Sequence, residues 1–296
     1  MTPIHRPSWL DPDRYPFTIH GLDLDGGTVA YLDEGDGPTL LFVHVGMWSF
    51  VFRDVIVRLR EEFRCITLDF PGFGLAPDGP GRLSLRDASD VVGQFLDALD
   101  LRDVTLVLHD LGGPAGVAAA GARPERISAL VLANTFLWTP DTRWLRAMLR
   151  IVGSRPMSVV GTVTNLVPRA ASGRGGVGRH LDRADRRLFR GPYRPWARRW
   201  RFHAMMRSAL RDATTTDAAE RAARGPLNDR PVLTVFGERN DPFGFQPRHE
   251  SVFPDHEGVV VAKGNHFPTM DDPALFAERV AAWHRRKVVG RAERRA

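Results

Sequence analysis

The chain of 296 residues has one cysteine, two lysines and three tyrosines, and each scarcity excludes something. Cys65 alone can close no internal disulfide and cannot found a cysteine-based metal site. No apolar run nears the roughly 18–20 residues that cross a bilayer. The opening MTPIHRPSWLDPDRYPF holds no apolar signal core. These absences make a cytoplasmic protein without a membrane partner the expectation. Lysine is confined to Lys263 and Lys287, so the net charge of +6 comes from arginine, much of it interleaved with carboxylates. Its densest clusters, RADRRLFRGPYRPWARRWRF and the tail RRKVVGRAERRA, come with no recognition motif, so no nucleic-acid partner is expected.

What is present is an alternation of short apolar runs with longer helical patterns. VAYLDEG, TLLFVHV, RCITLDF, VTLVLH, ISALVLANT, PVLTVFG and GVVVAKG read as strands. Helical patterns occupy 50–62, 85–100, the Gly/Ala-rich stretch after Asp110, and DPALFAERVAAWHRR near the end. Continuous apolar strands between helices predict an α/β fold, a mostly parallel sheet covered on both faces. From about 140 to 224 the rhythm breaks into Arg-, Trp- and Met-rich helical sequence without a convincing strand. Its place between two sheet strands predicts an insertion over the carboxyl edge, where open parallel sheets bind ligands. The expected division is 1–139 and 225–296 as core, with 140–224 as a helical lid.

Loops after four predicted strands carry polar groups to that edge: His44-Val45-Gly46-Met47-Trp48, Asp110-Leu111, Asp241 and His266. Asp110, Asp241 and His266 fall in the chain order nucleophile, acid, histidine. A carboxylate nucleophile is already ionised at neutral pH and can displace a leaving group from saturated carbon, forming an alkyl ester. His266 would then activate water against that ester, and Asp241 would orient the imidazole. Backbone N–H groups of Leu111 and of Gly46 or Met47 are the candidate oxyanion donors. Each residue also has a plainer role: Asp110 as a helix N-cap, Asp241 as a turn residue, His266 as a loop histidine.

YLDEGDGPTLLFVH, WSFVFRDVI, FRCITLDFPGFGLA, LHDLGGPAG, LVLANTFLWTP and NHFPTMDDP resemble segments of haloalkane dehalogenases. These belong to the aspartate-nucleophile branch of the α/β-hydrolase superfamily, shared with epoxide hydrolases. The resemblance implies an α/β-hydrolase fold with a helical lid, and hydrolysis through an Asp110 ester. It implies a small-molecule substrate with water as co-substrate, and neither cofactor nor metal. Asp241 matches the acid after the late strand, while Asn134 stands at the earlier strand end where another subfamily places its acid. Haloalkane dehalogenases usually hold the departing halide with an asparagine after the first core strand and a tryptophan after the nucleophile. Here the first loop has no asparagine, and Leu111, with no side-chain donor, follows the nucleophile. Substitute contacts to substrate or leaving group are sought in Trp48, His44, Asn134, Trp138 and Tyr193. An epoxide hydrolase, a hydrolase of another electrophile and a catalytically silent ligand-binding fold are the alternatives. Epoxide hydrolases use two lid tyrosines, and only Tyr193 falls in the lid region.

Overall fold

Buried apolar runs such as Leu40–Val43 and Leu106–Leu108 need cover on both faces, and the sheet supplies it by placing them at its centre. A computed structural model describes residues 2–79, 81–139, 142–177, 181–241 and 244–290. Pro140 at the expected lid boundary and the last six residues of the basic tail lie outside the described residues. The strands are β1 (Thr2–Pro3), β2 (His20–Leu24), β3 (Gly27–Glu34), β4 (Thr39–His44) and β5 (Arg64–Asp69). They continue with β6 (Val104–Asp110), β7 (Ile127–Thr135), β8 (Val232–Gly237) and β9 (His256–Val261). Their order in the sheet is β1-β2-β3-β5-β4-β6-β7-β8-β9. β1 to β3 join antiparallel to each other and to β5, and every pairing from β5 across to β9 is parallel.

The helices before the insertion are α1 (Arg53–Leu59), α2 (Leu85–Ala98) and α3 (Gly112–Gly121). Between β7 and β8 lie α4 (Arg143–Val152), α5 (Arg155–Thr164), α6 (Leu166–Ala171), α7 (Arg183–Phe189), α8 (Trp196–Ala209) and α9 (Ala213–Arg224). After β8 come α10 (Phe245–Val252), α11 (Pro268–Asp271) and α12 (Pro273–His284). α1, α11 and α12 pack together, as do α2, α3 and α9, one group against each face of the sheet. The α3–α9 contact is close because both helices present small residues: a methyl group on Gly121 would sit 2.4 Å from the Ala222 Cβ. Ser84 and Asp87 cap the start of α2 reciprocally.

Two elements differ from the sequence reading. β2, with its half-exposed HGLDL, joins the sheet as an edge hairpin with β3 although its apolar pattern is weak. The helix expected over 50–62 is a 3-10 turn at Ser49–Phe52 followed by the short α1. At the start of that turn the Ser49 N–H, which has no partner within a helix, is taken up by the Asp69 carboxylate at 2.7 Å.

Candidate active site

The chain runs from β4 to β5 on one side and later to β6 on the other, so the strand order reverses at β4 and opens a crevice at the carboxyl edge. Asp110 ends β6 at that crevice with φ of +51°, a left-handed conformation costing a non-glycine residue about 1 kcal/mol. The turn is tight because Gly112 and Gly113 let α3 start against its neighbours. A Cβ on Gly112 would lie 2.2 Å from the Val43 carbonyl oxygen, and one on Gly113 would collide with Thr135 Oγ1. Thr135 Oγ1 in turn donates to the Asp110 carbonyl at 2.5 Å. The N-cap of α3 is Leu111, not Asp110, and no side chain caps the helix. The capping explanation for the carboxylate therefore falls away.

His266 reaches the same point from the loop after β9, its Nε2 3.4 Å from Asp110 Oδ2. Burial alone would raise the Asp110 pKa. The hydrogen bond from His266, then the electrostatic influence of the His266, His44 and His109 rings, outweighs it and holds the carboxyl well below its ordinary value. The His266 backbone is fixed independently of its ring. Its carbonyl accepts from His109 Nε2 at 2.6 Å and from Asn134 Nδ2 at 2.9 Å, and its N–H donates to the Gly176 carbonyl at 3.0 Å. His109 thus presents its Nε2 proton to a carbonyl and keeps a buried lone pair on Nδ1. Burial, then neighbouring His44 and His266, depress its pKa well below the usual value, so it is neutral. The ligand nitrogens of His44, His109 and His266 lie within 4.8 Å of one another. A metal ion about 2.1 Å from two nitrogens holds them no more than roughly 4.2 Å apart, so the set is looser than a preformed cage.

The other residues singled out from the sequence are tied into the fold in different ways. Asp241 accepts the N–H groups of Phe245 at 2.6 Å and Gln246 at 2.9 Å, capping the start of α10, and no hydrogen bond joins it to His266. The Asn134 amide is engaged by backbone: it donates to the Asn265 and His266 carbonyls and accepts from the Gly237 N–H at 2.9 Å. Strand-end backbone left unpaired by the loops has drawn that side chain in. Trp48 donates its indole N–H to the Phe189 carbonyl at 3.0 Å, and Tyr193 donates its hydroxyl to the Gly46 carbonyl at 2.5 Å. Both are buried staples between the first loop and the insertion. His44 is buried against His109 and Phe267, its Nδ1 proton on the Val45 carbonyl, and burial lowers its pKa to about 4. Trp138 packs against Phe245 and His249 of α10, beneath the Arg248 guanidinium, its indole N–H buried without a partner. Gly46 and Met47 sit in the first loop, Gly46 at φ +98° with Phe202 and Met205 of α8 close above it.

One buried network escaped the sequence reading. Asp69, at the end of β5, accepts from Ser49 N–H and from Leu75 N–H at 2.7 Å, while Ser49 Oγ bonds Tyr15. Burial pushes the Asp69 carboxyl up to about 6. An aspartate ending a strand before the glycine-rich PGFG turn is the signal that would have found it.

A cavity of about 220 Å³ lies beside the elbow, the β6–α3 turn at Asp110-Leu111, with Leu85, Leu111, Phe136, Leu149 and Leu210 as its apolar wall and Arg146 and Arg150 at its α4 side. A larger one, about 590 Å³, lies at the opposite, amino end of the strands around Thr39 and Ile127, away from Asp110. Size does not select the site here; the neighbourhood of the elbow does.

A mostly parallel sheet with a strained residue at the central strand–helix turn and a histidine facing it defines an α/β-type hydrolase. Residues 40–279 match the model of the alpha/beta hydrolase family, and the chain belongs to that family. Within it the chain is haloalkane dehalogenase-like. It is 32% identical over 278 residues to haloalkane dehalogenase 2 of Mycobacterium tuberculosis, covering 90% of this chain and 95% of the relative. A cis-3-alkyl-4-alkyloxetan-2-one decarboxylase of Xanthomonas campestris is 28% identical, covering 91% of this chain and 96% of that protein. Among solved structures, a loop variant of a Bradyrhizobium elkanii haloalkane dehalogenase superposes with TM-score 0.82 at 18% identity, over 94% of this chain and 99% of that one. The chain is accordingly an enzyme of the hydrolase class.

Proposed function

We propose that the enzyme hydrolyses a small apolar electrophile through a covalent ester on Asp110. The observation that carries this is the Asp110 carboxylate, held at a left-handed backbone position 3.4 Å from His266 Nε2. A carboxylate oxygen attacks the substrate carbon, and the leaving group departs with the bonding electron pair. His266 Nε2 then takes a proton from water, whose oxygen adds to the ester carbonyl. Collapse of the tetrahedral intermediate releases the alcohol and restores Asp110. Leu111 N–H and an N–H of Gly46 or Met47 stabilise the oxyanion. Asp241 serves as the acid by exchanging its cap on α10 for the far nitrogen of His266. α4 to α8 form the lid, which ends near Asp212 because α9 packs with α3 as part of the core.

Haloalkanes are the first substrate class, on the strength of the relatives' names. A second reading is a strained cyclic ester, as in the name of the oxetanone decarboxylase relative. Leu111 favours it: without a side-chain donor for a departing halide, an electrophile whose leaving group stays tethered is better served. An epoxide is less well served, since Tyr193 has given its proton to Gly46. The test is intact-mass analysis of His266→Gln after incubation with bromoalkanes, dialkyl oxetan-2-ones and epoxides. A halogen-free alkyl ester mapping to Asp110 is expected with the first class and a ring-opened adduct with the second. Absence of any adduct, with no turnover by wild type, would leave the silent-fold reading. Asp241→Asn should slow ester hydrolysis more than ester formation in single-turnover measurements; equal rates would remove Asp241 from the triad.

A further inference from the structure

The outer surface of the insertion is both strongly cationic and apolar. Residues 142–212 contain seventeen arginines, no lysine and three aspartates, so the rest of a chain of net charge +6 is net acidic. Those aspartates do not neutralise the insertion's own arginines. Asp182 pairs with Arg14 and Asp185 with Arg14 and Arg53, all from the core side, while Asp212 accepts from Thr214 and Thr215; of the insertion's arginines, Arg198 and Arg201 turn inward to Asp78 of the core. On the same helices large apolar side chains face solvent. Trp144 and Ile151 of α4 are 66% and 63% exposed, Val159 and Val163 of α5 50% and 57%, and Trp196 of α8 56%. α4, α5 and α6 are consecutive, and α5 packs on α8, so these residues belong to neighbouring helices.

We infer that this face docks on an anionic phospholipid surface. Arginine and tryptophan around aliphatic side chains match what lies in a headgroup layer: cations meet lipid phosphates, indoles sit at the interface, and valines enter the acyl boundary. The occupant follows from charge and apolarity together. A second copy would press two cationic faces together. A nucleic acid would satisfy the arginines and leave the valines and isoleucine in water. A bilayer takes both. Among the described residues no helix is long and apolar enough to cross a membrane, so the contact is peripheral. The cavity beside the elbow is lined by Arg146, Leu149 and Arg150 of α4, one of the docking helices, so docking would bring the bilayer to the helix that walls this cavity. Docking itself does not depend on which electrophile is turned over. The expectation of no membrane partner is replaced, for the bilayer surface, by this inference.

The full chain should co-float with vesicles of phosphatidylcholine containing 30% phosphatidylglycerol at least tenfold better than with pure phosphatidylcholine. Added salt should weaken the binding, and tryptophan emission should shift to the blue. Arg143→Gln/Arg155→Gln/Arg169→Gln should lose the preference for the anionic vesicles, and Val159→Ser/Val163→Ser should bind either vesicle less. These positions are exposed, and unchanged circular dichroism and melting temperature would certify both variants as folded. Equal or absent binding to the two vesicles would overturn the inference. So would light scattering that shows a dimer abolished by Val159→Ser/Val163→Ser.

Discussion

At the scale of single residues, the site is a carboxylate and an imidazole whose surroundings are neutral, buried histidines and backbone carbonyls. On the proposed mechanism, Leu111 bears on the choice of substrate more than Asp110 does. Losing a well-placed donor to a developing anion costs about 2.7–4 kcal/mol, a factor of a hundred to a thousand in rate. Leu111→Trp returns an indole N–H next to the nucleophile, where the adjoining cavity has room for part of the ring. Bromide release from a bromoalkane should rise, by up to about a hundredfold if the indole reaches the leaving atom; a halide assay on variant and wild type reads it. Asp110 and His266 were legible in sequence because a charged group after an apolar strand is a costly thing to place without use. The fates of Asn134, Trp48 and Tyr193 were not. Each is a polar side chain near the right edge, and only three-dimensional packing tells that a backbone carbonyl has already claimed it.

At the scale of elements, the parallel strands and the core helices follow from apolar runs and caps that local sequence carries plainly. What local sequence hides is contact between elements distant in the chain. The 140–224 insertion reads as one helical block, yet α9 lies with α3 because alanines and a glycine on the two helices fit together. The same hidden closeness sets the elbow. Gly112→Ala places a methyl group within 2.2 Å of the Val43 carbonyl oxygen, so α3 or β4 must shift. Destabilisation of about 1–3 kcal/mol is expected from such overpacking, together with loss of most ester formation because Leu111 and Asp110 move with the helix. Urea unfolding and single-turnover rates check the two effects separately.

For the molecule as a whole, buried histidines set the acid limit of stability. Burial holds His44 and His284 at about 4 and His249 at about 3, below the roughly 6.5 of an unfolded histidine. Between pH 6.5 and 4 the unfolded chain binds more protons at these sites, so stability falls as pH falls. Asp69 works the other way: its folded pKa is raised to about 6, so the native state gains its proton first and is favoured as pH drops toward 4. Three histidines outweigh one aspartate, and a loss on the order of 5 kcal/mol by pH 4.5 is expected. Calorimetric scans from pH 7.5 to 4.5 should show the melting temperature falling by roughly 10 °C or more. A flat profile would mean that these rings take up their protons without unfolding. The staples between insertion and core carry a mechanical consequence. Trp48 donates to the Phe189 carbonyl and Tyr193 to the Gly46 carbonyl, tying the loop after β4 to the insertion, and Arg198 and Arg201 of α8 grip the Gly74–Gly79 turn. The α7–α8 half is therefore a doorpost, fastened to the loop that holds Gly46 and Met47, the alternative oxyanion donors. If it swung, it would drag those donors out of register. On the proposed reading of the insertion as a lid, opening toward Asp110 is therefore expected on the α4 side, whose residues line the cavity beside Leu111.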